Sequence, residues 1–370
     1  YMKSILNLQS PVIGLSPMDG ITDYATREIV KKYGNPDLMY TEFVNVMGLC
    51  IAGYNTLKEL EYSELQRPII GQIYGKEPEY FYHAAKIICA LGFDGVDINM
   101  GCPAKNVASS GSGAGLIKTP ELAKEIVEAV KEGVRHWVDN GELTGLNEKT
   151  LKAVNETILL KIKELESSHK PDDRHTSGQI NLFAFANRSK FHRVMIPVSI
   201  KTRVGFDKPI TEEWIQTLDS TNPAWIAVHG RTLKQLYSGV ADRNELKKAV
   251  NSTSKAVLIN GDIQNRNDAI TAIKETGAFG ALIGRGSFGN PWVFKKNFDL
   301  TKLTLKERLE VMTEHTKLFQ ERNSEPRAFV QMRKHFGWYI KGFEGAREAR
   351  MKLMTSNSLE EVKDILQTLN

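Results

Sequence analysis

Long apolar runs are missing from this sequence: no stretch approaches the roughly 18 consecutive apolar residues of a bilayer span, and the first residues lack the zones of a secretory signal. A cytoplasmic protein off the membrane is the expectation. Cysteine is nearly as scarce, with Cys50, Cys89 and Cys102 the whole complement. An odd number of scattered thiols excludes a disulfide framework, and no CxxC pair offers a zinc site, so no structural metal is expected. A strong charge is absent too. The 49 basic and 44 acidic residues leave a formal excess of +5, which suits a polyanionic partner without demanding one. With 41% hydrophobic and 25% charged residues, the chain has enough apolar surface for a sizeable core, and global disorder is excluded. No internal repeat and no obligate protein partner is evident.

What the sequence does contain is an alternation. Short apolar runs ending in Gly, Pro, Asn or Asp recur through the first 290 residues, most followed by a helical pattern. They place strands at Val12–Leu15, Leu38–Phe43, Ile69–Ile73, Gly95–Asn99, Val198–Thr202, Ile226–His229, Val257–Asn260 and Ala281–Gly284. Between them Leu122, Ile126, Val127 and Val130 share one helical face. Eight βα units predict an α/β fold, a (β/α)8 TIM barrel over residues 1–298. An open doubly wound sheet would carry a glycine fingerprint after its first strand, and the turn here is Ser16-Pro17-Met18-Asp19-Gly20.

One connection is too long. About 136–195 separates the fourth helix from the fifth strand, where αβ connections take roughly 2 to 6 residues. It reads as an insertion, a helix over Leu151–Leu165 with a polar return, emerging away from the catalytic face. Beyond Phe298 helical periodicity takes over, and 303–370 reads as an all-helical domain. Between Arg327 and Lys352 it holds seven basic residues, Arg333, Lys334 and Lys341 among them, against two acidic ones. These alternate with Phe329, Phe336, Trp338, Tyr339 and Phe343, either a surface for phosphates and bases or an aromatic core under solvated lysines.

In barrels the chemistry gathers where strands end, and phosphates favour the loops after the last two strands. The seventh strand ends in Asn260-Gly261-Asp262 and the eighth in Gly284-Arg285-Gly286, which together form a candidate phosphate cup. The fifth and sixth end in Lys201-Thr202-Arg203 and His229-Gly230-Arg231. At that rim Lys201 can offset an anionic reduced flavin and His229 can bond a phosphate; either is otherwise a satisfied rim side chain. Gln72, ending the third strand, is a plausible amide partner for the flavin's pyrimidine edge. Cys102 follows the fourth strand on a glycine-rich loop. A thiol with an ordinary pKa of roughly 8.5 stays protonated at neutral pH, which makes Cys102 a candidate general acid.

The runs Ser16-Pro17-Met18-Asp19-Gly20, Asn99-Met100-Gly101-Cys102-Pro103, Lys201-Thr202-Arg203, His229-Gly230-Arg231-Thr232 and Asn260-Gly261-Asp262 resemble those of the tRNA-dihydrouridine synthase family. Met332-Arg333-Lys334-His335-Phe336-Gly337-Trp338 looks like its bacterial B-type branch, and only the insertion stands outside the resemblance. The resemblance implies FMN held by Pro17, Met18, Gln72, Lys201, His229, Asn260, Gly261, Asp262, Gly284 and Arg285, with NADPH as reductant. It implies hydride transfer from flavin N5 to C6 of a uracil, protonation of C5 by Cys102, and Asn99 holding the base. Arg203 is expected to meet the nucleotide, and Arg333, Lys334 and Lys341 to meet the tRNA. Three rivals compete: a dihydroorotate dehydrogenase-like enzyme acting on free pyrimidines, a non-redox RNA-binding barrel, and a sugar-phosphate barrel.

Overall fold

Eight short strands carry the alternation: β1 (Val12–Leu15), β2 (Met39–Tyr40), β3 (Ile69–Tyr74), β4 (Gly95–Met100), β5 (Val198–Arg203), β6 (Trp225–His229), β7 (Ala256–Asn260) and β8 (Gly280–Ile283). The computed structural model describes residues 6–167, 193–236, 238–323 and 326–368. All neighbouring strands pair in parallel, in the order β1-β8-β7-β6-β5-β4-β3-β2. The ring closes between β1 and β2, where the Leu15 N–H donates to the Leu38 carbonyl at 2.9 Å and the Asp37 N–H to that of Ile13 at 3.0 Å. This is the expected (β/α)8 barrel. The expected second strand is shorter than its apolar run, because the Thr41 hydroxyl takes the Gln72 N–H at 3.0 Å and interrupts the ladder. Pairing resumes at Val44–Asn45.

Helices α1 (Tyr24–Gly34), α2 (Val46–Ile51), α3 (Pro78–Ala90), α4 (Pro120–Asn140), α5 (Glu148–Ser167), α6 (Thr211–Asp219), α7 (Arg243–Asn251) and α8 (Arg266–Thr276) belong to the barrel region. Helix α4 starts with Pro120 in its first turn and stops at Gly141, whose left-handed backbone returns its N–H to the Trp137 carbonyl. The helix therefore outruns the expected start of the insertion at 136. Helix α5 covers the helix expected over Leu151–Leu165, and Val154 buries itself in the main core. Near its far end Lys161 reaches the Tyr62 carbonyl, while the Tyr62 hydroxyl donates to the Leu91 and Gly92 carbonyls ahead of β4. That end lies by the N-terminal ends of the strands, away from the mouth. The expected polar return, Ser167–Gly178, lies from residue 168 onward outside the described residues.

Because side chains alternate along a strand, each strand divides its residues between two layers. Ile13, Met39, Ile69, Ile73, Val96, Ile98 and Ile200 face the helices in one cluster. Val12, Tyr40, Ile70, Trp225, Leu258 and Leu282 fill the barrel's interior in another. The interior parity continues upward into Gln72, Asp97 and Ser199, which sit side by side in register, and then into Asn99 and Lys201. The polar site is thus the upper part of the same inward-facing rows that form an apolar plug below.

Past β8 come α9 (Leu305–Arg322), α10 (Arg333–Tyr339), α11 (Ala346–Leu353) and α12 (Leu359–Gln367). A capping box starts α9, with Thr304 and Glu307 exchanging side-chain and backbone bonds. Met312, Phe319, Phe329, Phe336, Tyr339 and Leu353 make a separate cluster that also takes in Ala25, Ile29 and Trp292. These helices are thereby seated on α1. Across the seam Glu314 accepts from Lys32 at 2.6 Å and from the Tyr33 hydroxyl at 2.5 Å. Thr26 Oγ1 lies 3.2 Å from His315 Nε2. Of the aromatic residues considered as base-stacking groups, Phe329, Phe336 and Tyr339 are core. Among the described residues no helix is long and apolar enough to cross a membrane.

Candidate active site

The strand ends and loops at the mouth enclose a cavity of about 630 Å³, within the range of cofactor pockets. Pro17, Met18, Asn99, Cys102, Lys201, Arg203, His229, Asn260, Gly261, Asp262, Gly284 and Arg285 all line it. Sequence reasoning had singled out each of them. Gln72 does not line it: the side chain is fully buried one layer below, donating to Asp97 at 2.7 Å and accepting from Asn99 at 3.0 Å. A partner at the cavity for both ends of its amide is therefore not what this geometry provides.

Asn99 organises the cysteine loop. Its Oδ1 accepts the backbone N–H groups of Gly101 at 3.0 Å and Cys102 at 2.8 Å. Arg203 braces the same loop from β5, donating to the Gly101 carbonyl at 2.7 Å and the Thr232 carbonyl at 3.1 Å. Burial pushes the Cys102 thiol above its ordinary pKa, and Asp19 adds to the rise against the opposing Ala104 amide, Lys201 and Arg203. The thiol form is thus the neutral-pH species, suited to giving a proton rather than attacking. Cys50 and Cys89 are buried free thiols, raised by burial and remote from the cavity.

Lys201 is brought down to about 8, first by burial and then by Arg203, with Asp97 pulling the other way. Burial also drives His229 well below its ordinary value, reinforced by Arg203, Lys201, Arg231 and Arg285. Its ring is neutral and has one N–H to donate. Asp97 is pushed up to about 6 by burial, against the hydrogen bonds of Ser199 and Gln72 and the charge of Lys201.

The cup on the opposite wall is built around Asp262. Its carboxylate accepts from Arg231 at 2.6 Å, from Arg285 at 2.7 Å and from the Ala241 N–H at 2.8 Å. Burial raises this carboxyl, but the Ala241 amide and the two guanidiniums outweigh it and leave it below its usual range. Asp262 therefore aims arginines at the cavity instead of meeting an anion itself. Arg231, the residue that sequence reasoning missed as a ligand, lines the cavity fully buried, and its Nε and Nη1 have no partner among the described residues. Its place two residues beyond the β6 end, on the phosphate side of the mouth, was the available signal. At Gly261, with φ of +118°, a Cβ would come within 2.6 Å of Ala241 and 2.9 Å of the His229 ring. Only glycine fits between Ala241 and His229 at this point of the cup.

Two further residues join the mouth to the C-terminal helices. Phe288 lines the cavity and stacks on Trp338, centroids 4.0 Å apart. Lys334 donates to the Gly20 carbonyl of the β1 loop. Arg333 donates to the Ser356 carbonyl at 3.0 Å and to Asn357 Oδ1 at 2.8 Å, clasping the turn before α12. Lys341 is exposed, as are Arg347, Arg350 and Lys352. The structure thus brings the barrel residues together around one cavity, and leaves Arg333, Lys334 and Lys341 outside it. No group of three metal-ligating side chains occurs among the described residues.

Comparison with known proteins sets this site in context. A family profile described as Dihydrouridine synthase (Dus) matches residues 14–153 and 188–370. A probable tRNA-dihydrouridine synthase of Staphylococcus aureus (strain MRSA252) is 30% identical over 369 residues, covering 97% of this chain and 93% of its own. Probable tRNA-dihydrouridine synthase 2 of Bacillus subtilis (strain 168) is 30% identical over 368 residues, covering 97% and 94%. Among solved structures, the old yellow enzyme from Trypanosoma cruzi overlaps loosely, with a TM-score of 0.44 and 11% identity over 81% of this chain and 92% of that one. The family match omits only the start of the chain and the middle of the insertion, and it spans every cavity-lining residue: the chain belongs to the dihydrouridine synthase family.

Proposed function

We propose that this protein reduces uridines in tRNA to 5,6-dihydrouridine in the cytoplasm, with a bound FMN and with NADPH as the reductant. The observation that carries the reading is Cys102: a thiol kept protonated by burial, on the wall of a cavity whose far side is built for an anion. The cup fits a flavin phosphate. Arg231 offers two buried, unpartnered guanidinium nitrogens, Arg285 is held beside it by Asp262, and Gly261 lines the cup. Arg231, Arg285, His229 and the loop amides of Gly261 and Gly284 would hold the phosphate, with Asn260 and Asp262 shaping the cup. Pro17, Met18 and Lys201 would hold the ring system, and Gln72 supports that layer from below.

When bound, the flavin supplies the hydride. The chain's own residues do the rest. Cys102 gives its proton to C5 of the uracil, and the thiol re-forms from solvent. Asn99 has a second amide N–H left for the base once Gln72 has taken the first. Lys201, cationic at neutral pH despite its lowered pKa, offsets negative charge that develops in the cavity.

A uridine inside folded RNA must be turned out of its stack to enter the mouth, at a cost of a few kcal/mol. Contacts from Lys341, Arg347, Arg350 and Lys352 to phosphates offset that cost, which makes 303–370 the tRNA-binding domain in this reading. Arg333 and Lys334 act there by shaping the surface and fixing it to the β1 loop. The test is a preparation carrying visible flavin: NADPH should bleach it, unmodified tRNA should restore it, and mass spectrometry should find dihydrouridine. Colourless protein that binds tRNA would instead support a non-redox barrel.

A further inference from the structure

One set of buried polar groups runs from below the cavity up to Asn99 on its wall. Ser199 donates to Asp97 Oδ1 at 2.5 Å, Gln72 donates to Asp97 Oδ2 at 2.7 Å, and Asn99 donates to Gln72 Oε1 at 3.0 Å. Asn99 Oδ1 then accepts from the Gly101 and Cys102 amides. All four side chains are buried.

The direction of this chain is forced from both ends. Backbone N–H groups can only donate, so Asn99 must turn its oxygen to the loop and its NH2 to Gln72. Gln72 must then present its oxygen, which turns its own NH2 to residue 97. An acceptor is required there, and a carboxylate is only an acceptor. Were the Gln72 amide free to turn over, its NH2 would face that of Asn99, and the loop would lose the acceptor that fixes it.

We propose that Asp97 is a positioning residue for the reaction, acting through Gln72 and Asn99 to hold the Cys102 loop in place. The proposal deepens the reading of Cys102 as proton donor and rests on it for its effect on turnover. Two variants separate the relay from other roles. Asp97→Leu is close in size and has no acceptor. Asp97→Asn keeps one, since its oxygen can face Gln72 while its NH2 faces the Ser199 hydroxyl, which can accept.

The experiment measures backbone amide exchange at Gly101 and Cys102 in the flavin-loaded protein, alongside kcat, KM for tRNA and flavin content. In Asp97→Leu both amides should exchange roughly tenfold faster and kcat should fall roughly tenfold, with KM and flavin content held. Asp97→Asn should stay near the parent on every readout. Unchanged exchange in Asp97→Leu overturns the relay. Equal damage in Asp97→Asn also overturns it, assigning the effect to the charge beside Lys201. If Asp97→Leu does not fold, Gln72→Met interrupts the chain one link nearer the loop and is scored on the same two amides, where unaltered protection again overturns the proposal. Exchange needs no substrate, so a failure of the tRNA reading leaves this result standing.

Discussion

At the barrel mouth Arg231, Lys201 and His229 are drawn into one shared cavity, whereas the C-terminal helices commit Arg333 and Lys334 to carbonyls of the fold and leave Lys341, Arg347, Arg350 and Lys352 in solvent. The first arrangement concentrates charge in a low-dielectric space where each group alters its neighbours. The second spreads charge over a surface where each contact is weak and screened. Substitutions at the mouth should therefore act singly and steeply, and substitutions on the helices should act in sum and depend on salt.

The steepest test of that contrast is Cys102→Ala. Loss of the proton donor should lower turnover on tRNA by roughly a thousandfold, within the usual range for a general acid, while flavin content stays that of the parent. Turnover within a few fold of the parent would remove Cys102 from the mechanism. Next, Arg231→Leu deletes the buried guanidinium with unpartnered nitrogens. Flavin affinity, measured by titrating the stripped protein, should drop about a hundredfold, the loss of charge-assisted bonds to a phosphate. An unchanged affinity would place the phosphate elsewhere.

The seam between the two regions has its own signature. Burial brings His315 down to about 4 and His335 well below its ordinary value, and the two rings meet 4.8 Å apart. A histidine in the unfolded chain titrates near 6.5. Between that pH and 4 the unfolded form binds more protons, so stability present above pH 6.5 is lost as the pH falls. His315 alone should lose about 2 kcal/mol by pH 5. Denaturant melts at pH 7 and pH 5 read this directly, and His315→Gln should flatten the difference; an equal difference in that variant would locate the sensitivity elsewhere. Smallest in effect, joint replacement of Lys341, Arg347, Arg350 and Lys352 by Ala should weaken tRNA binding about tenfold and reduce the salt slope. A slope equal to the parent's would move the RNA to another face.

The same contrast explains what could be read from the sequence. At a strand end, position alone fixes which way a side chain points, so Cys102, Lys201, His229 and the Asn260 and Gly284 loops could be assigned from local pattern. Asp97 and Gln72 share that inward parity but sit one layer lower, and their depth follows from strand register, which a single strand does not carry. Arg231 was passed over because its aim into the cup is set by Asp262 from the following strand's loop, a contact that the β6 end alone does not carry. In the helical region a basic residue's partner depends on tertiary contacts: Arg333 meets the turn before α12 and Lys334 meets the β1 loop. Interleaved aromatics there gave two readings: Phe329, Phe336 and Tyr339 pack in the core, while Trp338 stacks on Phe288 at the mouth and Phe343 is half-buried.

Reduction of tRNA uridines is read out in one experiment by mixing the purified protein with NADPH and unmodified tRNA while following flavin absorbance and, by mass spectrometry, the tRNA nucleosides. Bleaching by NADPH, recovery on addition of tRNA, and uridine gaining two hydrogens is the predicted result. Flavin that bleaches but is not reoxidised by tRNA, with no dihydrouridine formed, would contradict the claim and turn the search toward free pyrimidines.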